Sequence, residues 1–160
     1  MEKQYLAIME QSLEKKVLIL DQIIEKNAEQ NEMLKQEDMS WEDFDENANQ
    51  KMDLIGEIEK LDEGFEELFQ RVRQELEAEG GKERYADAIR RMQNLITQIT
   101  EKSASVQAQE ARNKTLVEKY FQQAREKIRG GRTSSKVAMD YYKNASWTTV
   151  SQPHFLDSKK

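Results

Sequence analysis

Through its first 152 residues this chain contains no proline, and its large apolar side chains recur at heptad spacing. A proline inside a helix removes a backbone hydrogen bond and clashes with the preceding turn, so this stretch carries no such break. Leu6, Leu13, Leu20 and Leu34 keep a sevenfold register, with Asn27 filling the missing place. Met9 and Ile23 follow Leu6 and Leu20 by three residues, which completes the two-position seam of packed helices. Val17 and Ile24 widen the stripe enough to meet more than one neighbour. The pattern predicts a first helix over about residues 3–37.

The segment Asp38-Met39-Ser40-Trp41-Glu42-Asp43 interrupts it. Ser40 is the expected N-cap, Asp43 stands three residues on as a variant capping box, and Trp41 and Phe44 are expected to pin the turn against the bundle end. A second helix is expected over about 43–78. Phe44, Ile58, Phe65 and Val72 share its register with Lys51 between them, and Ala48, Ile55, Phe69 and Leu76 form a parallel row broken by Asp62. Its internal glycines, Gly56 and Gly64, are candidate points of close helix contact. Gly80-Gly81 marks a turn.

Beyond that turn, Tyr85, Met92, Ile99, Val106 and Tyr120 fall on one row, with Asn113 inside it. Ile89, Ile96, Val117 and Ala124 fall on another, with Ser103 and Glu110 between them. A third helix over about 83–129 follows. The fold class is all-α: an antiparallel bundle of three long amphipathic helices over residues 1–129, then an irregular C-terminal tail over 130–160. Polar residues inside the seams have two readings. They fix register, or they loosen the bundle so that helices part for a ligand helix.

Charged residues reach 35% against 37% apolar, which leaves a thin core. Their signs are segregated, −14 over residues 1–79 and +8 over 80–160. The two halves could attract each other as complementary faces of one bundle, or attract different partners. There is no cysteine and one histidine, His154, so thiolate metal sites and histidine clusters are excluded. No glycine-rich phosphate loop follows a strand, and the paired carboxylates read as solvated helix faces. We expect no enzyme activity and no cofactor. The basic residues Arg125, Lys127, Arg129, Arg132 and Lys136 are not extended into a stripe by Arg90-Arg91, which argues against nucleic acid. The opening residues alternate charge with apolar side chains, unlike a signal peptide, and no span crosses a bilayer. A cytoplasmic protein is expected.

A third helix longer than the first two would overhang them and expose Val117, Tyr120, Phe121 and Ile128. Uncovered apolar surface of this kind marks a partner site. The tail adds Tyr141, Tyr142, Trp147 and Phe155, which are expected to dock on the bundle or on a partner.

Taken together, the acidic helix hairpin, the stretch Gln109-Glu110-Ala111-Arg112-Asn113-Lys114-Thr115-Leu116-Val117, the tail segment Asp140-Tyr141-Tyr142-Lys143 and the ending Phe155-Leu156-Asp157-Ser158-Lys159-Lys160 resemble the flagellar export chaperones of the FlgN/FliT type. The resemblance implies a cytoplasmic type III export chaperone. Such a protein binds unassembled hook–filament junction or cap proteins, prevents their premature assembly and escorts them to the export apparatus. It implies a partner surface at Asn113, Leu116, Val117, Tyr120, Phe121, Ala124 and Ile128, with Tyr141, Tyr142 and Phe155 in the tail, on a monomer or weak homodimer. Replacing Val117 and Phe121 by aspartate is then expected to abolish binding and leave helicity unchanged. The alternative is a structural coiled-coil scaffold that self-associates.

Overall fold

The computed structural model describes residues 2–127, and the segment from 128 onward lies outside the described residues. They form four helices and no strand: α1 (Glu2–Leu34), α2 (Trp41–Glu77), α3 (Gly81–Arg84) and α4 (Ala86–Lys127). α2 starts two residues before its expected position because Ser40 caps it. The Ser40 hydroxyl accepts from the Asp43 amide at 3.2 Å, and Glu42 and Asp43 place negative charge on the first turn. α2 ends where the Ala78 amide bonds back to the Gln74 carbonyl and Gly80 turns left-handed at φ 77°. A Cβ on Gly81 would lie 2.0 Å from the Glu75 carbonyl oxygen, so this close turn admits glycine alone. Gly56 and Gly64 differ from expectation. A Cβ at either would meet nothing within 4 Å, so neither marks a close helix contact.

Side-chain bonds between helices show how the long elements run. Along α1, Lys16 meets Asp62 and Gln30 meets Asn47, so α2 descends as α1 ascends. Against α4 the order is the same on both helices: Glu10 with Arg91, Asp21 with Lys102, Asn27 with Gln109 and Asn31 with Asn113. The sequence separation in that series stays at 81 to 82 residues, so α1 and α4 hold one register along their length. Glu10–Arg91 at 2.9 Å and Asp21–Lys102 at 2.6 Å join the acidic first half of the chain to the more basic second half. The Glu10 carboxylate, hydrogen-bonded to the Arg91 guanidinium, pushes its pKa further up. As pairs open to water they are screened and add little to stability.

Two apolar cores lie between the helices. The larger joins fifteen buried side chains from Leu6 to Ile23 of α1, Leu54 to Leu76 of α2 and Met92 to Val106 of α4. The smaller, at the end where α1 stops and α2 begins, holds Leu34, Met39, Phe44, Val117 and Phe121. No helix among the described residues is long and apolar enough to cross a membrane.

Candidate partner-binding end of the bundle

Between the two cores, all three long helices present polar side chains at one height. Lys51 of α2 is fully buried, and its ammonium donates to Asn27 Oδ1 at 2.8 Å, Gln30 Oε1 at 3.2 Å and the Glu110 carboxylate at 2.9 Å. Asn113 donates to the Asn27 backbone carbonyl and to Gln30 Oε1, both at 3.0 Å. Gln30 donates to Asn47 Oδ1 at 3.3 Å, and Asn47 donates in turn to the Lys26 carbonyl at 3.0 Å. Donors meet acceptors here, which is what lets a dry interior tolerate such groups. Burial still disfavours the charge on Lys51 and lowers its pKa to about 8, against the opposing pull of Glu110. Farther down the bundle, buried Lys16 reaches Asp62 at 2.9 Å. Burial raises the Asp62 pKa, against the pull of Lys16.

Above the polar layer the side chains become aromatic. Trp41 stacks on Phe121 with ring centroids 4.8 Å apart and planes 7° from parallel. It meets Tyr120 and Phe44 edge-on at 5.2 and 5.6 Å. The Tyr120 hydroxyl accepts from the Met39 amide at 2.9 Å and donates to the Glu37 carbonyl at 2.8 Å, tying the 35–40 loop to α4. Beside this tie lies a cleft of about 350 Å³, lined by Leu34, Met39, Trp41, Tyr120, Gln123 and Ala124 with the loop residues between α1 and α2.

This geometry corrects the expected overhang. Val117 and Phe121 are 3% and 8% exposed, and Tyr120 is half-buried, so none of the three stands free. The expectation measured helix against helix, whereas the loop after Leu34 crosses to α4 and Trp41 completes the cover. An aspartate pair at Val117 and Phe121 would therefore disrupt packing rather than probe a surface. Asn113 is also fully buried, within the polar layer. Leu116 and Tyr120 pack half-buried against the small core, and Ala124 lines the cleft. Ile128, Tyr141, Tyr142 and Phe155 lie outside the described residues.

Asn27, Glu110 and Asn113 showed in the sequence as polar breaks in apolar rows. Gln30 and Asn47 were missed, though the signal existed. Gln30 lies seven residues after Ile23, and Asn47 seven before Leu54. Ser103, another such break, is not part of the layer, and its buried hydroxyl has no hydrogen-bond partner among the described residues. No cluster of metal-ligating side chains occurs among the described residues. Compared with protein-family models, curated proteins and solved structures, the chain matches none.

Proposed function

We propose that this chain is a protein-binding chaperone of the flagellar type III export kind. In this reading its three long helices form an up-down-up bundle whose α1–α2 loop end receives a client. The observation that carries the reading is the small aromatic core at that end, set apart from the main core and opening into the cleft beside Leu34, Trp41, Tyr120 and Ala124. An amphipathic helix from an unassembled hook–filament junction or cap protein would bury its apolar face there, with Leu116, Tyr120 and Ala124 as the accessible contacts and Val117 and Phe121 beneath them. Client segments that order on binding lose entropy, so the bound state is held by buried apolar area rather than by a rigid pocket. The protein works in the cytoplasm as a monomer or weak homodimer and delivers the client to the export apparatus without a cofactor. Resemblance of the Gln109–Val117 stretch and of the tail to that chaperone family supports the choice of client.

The test is capture from the native cytoplasm with the tagged full chain, followed by identification of what co-purifies. Recovery of a junction or cap protein, reduced at least tenfold by Ala124→Glu with an unchanged melting temperature, is the expected result. A stable higher oligomer of the chain alone, with neither client recovered, would instead identify a self-associating scaffold.

A further inference from the structure

The two apolar cores do not touch as one cluster. Between them sits the layer around Lys51, in which an ammonium, a carboxylate and several amides take the places that leucines fill elsewhere. Apolar side chains have no substitute partner once separated. The groups of this layer do, because water can replace each of their hydrogen bonds. A crack that starts here therefore costs less than one through either core. Among the described residues the two sides are also unequal, with fifteen buried apolar side chains below the layer and five above it. Cooperative units of different stability within one domain arise from such differences in local packing.

We propose that the Lys51 layer divides the bundle into two units, and that the loop end opens as one body while the larger core stays packed. The opening unit comprises the end of α1, the 35–40 loop, the start of α2 and α4 beyond Asn113. Its closing contacts are the Tyr120 hydroxyl on the loop backbone and the Trp41 ring on Phe121. Separating them uncovers Leu34, Phe44, Val117 and Phe121, an apolar stripe that the closed form hides. That this stripe receives the client helix rests on the function proposed above, whereas the division into two units does not.

Amide hydrogen exchange on the full chain without client tests the division. Amides of 30–34 and 113–121 should exchange at least tenfold faster than those of 13–23 and 96–106. Loosening the larger core with Ile99→Ala should speed exchange in 13–23 and 96–106 at least tenfold and leave the loop end within twofold of its original rate. The milder Ile99→Val gives the same pattern at about threefold should the alanine variant not fold. The asymmetry follows because the loop end already exchanges without breaking the larger core. Joint replacement of Lys51 and Glu110 by methionine should join the cores and slow exchange at the loop end toward that of the rest. Uniform protection in the parent, equal acceleration of both regions by either Ile99 variant, or an unchanged gap in the folded double variant would each overturn the division. Exchange needs no client, so failure here and failure of client capture are separate outcomes.

Discussion

At the scale of single residues the charged pair Lys51–Glu110 decides most. Removing one partner of a buried pair leaves a desolvated charge behind, whereas replacing both by apolar groups of similar volume is often neutral or stabilising. Lys51→Met alone should therefore cost about 3–5 kcal/mol in urea unfolding, with the Glu110 carboxylate left without its ammonium partner. The double methionine variant should recover most of that loss. The pH dependence follows from the Lys51 pKa of about 8 against an ordinary value of 10.5. Between these values the unfolded lysine holds its proton and the folded one has released it, so stability rises with pH across that window. Relative to the double variant, which carries no titratable group at these two positions, the parent should gain roughly 3 kcal/mol from pH 8 to 10.5. A flat difference would show that the ammonium is not desolvated. Ser103 offers a contrasting case. Its hydroxyl is buried without a partner among the described residues, so Ser103→Ala should raise stability by about 1 kcal/mol. Lys51 and Glu110 were readable as exceptions within apolar rows, but their pairing was not. Heptad position places a residue in a seam, and only the offset between helices determines which exceptions share a height.

For the elements, the same sequence signals worked where they concern local backbone and failed where they concern reach. Ser40 and Asp43 cap α2 through the hydroxyl–amide bond their spacing suggests, and Gly80-Gly81 ends it. The internal glycines separate the two kinds of inference. Glycine lowers helix propensity for reasons intrinsic to the chain, while its use for close packing depends on a neighbour that a sequence does not show. Because a Cβ at Gly56 or Gly64 meets open space, Gly56→Ala and Gly64→Ala should each stabilise the protein by about 1 kcal/mol in thermal or urea unfolding. Gly81→Ala should destabilise it, since the added carbon meets the Glu75 carbonyl. Loss at Gly56 or Gly64 would mean that the helix there needs glycine for a reason other than the space around it. The covered end of α4 was illegible for a related reason. Helix lengths follow from periodicity, but the loop between α1 and α2 has no period, and it is this loop that Tyr120 draws over the apolar residues expected to stand exposed.

Across the whole molecule, a bundle interrupted by a polar layer should not unfold in one step. Tryptophan fluorescence and helicity follow different parts of it. Trp41 belongs to the small core, whereas most helical residues flank the larger one. Trp147 is the other tryptophan, so Trp147→Phe leaves Trp41 as sole reporter. In urea, Trp41 fluorescence should then change at a lower midpoint than ellipticity at 222 nm, the sign of two transitions rather than one. Phe121→Ala sharpens the distinction. Removing a buried ring costs about 3 kcal/mol or more. With a slope of about 1–3 kcal/mol per molar urea, this should lower the fluorescence midpoint by at least 1 M. The main loss of ellipticity starts from a form in which Phe121 is already released, so its midpoint should stay in place. Coincident midpoints in the parent, moving together in the variant, would mean that the layer's hydrogen bonds hold the two cores as one unit. In that case Asn27, Lys51 and Glu110 fix the register of the helices and provide no line along which the bundle parts.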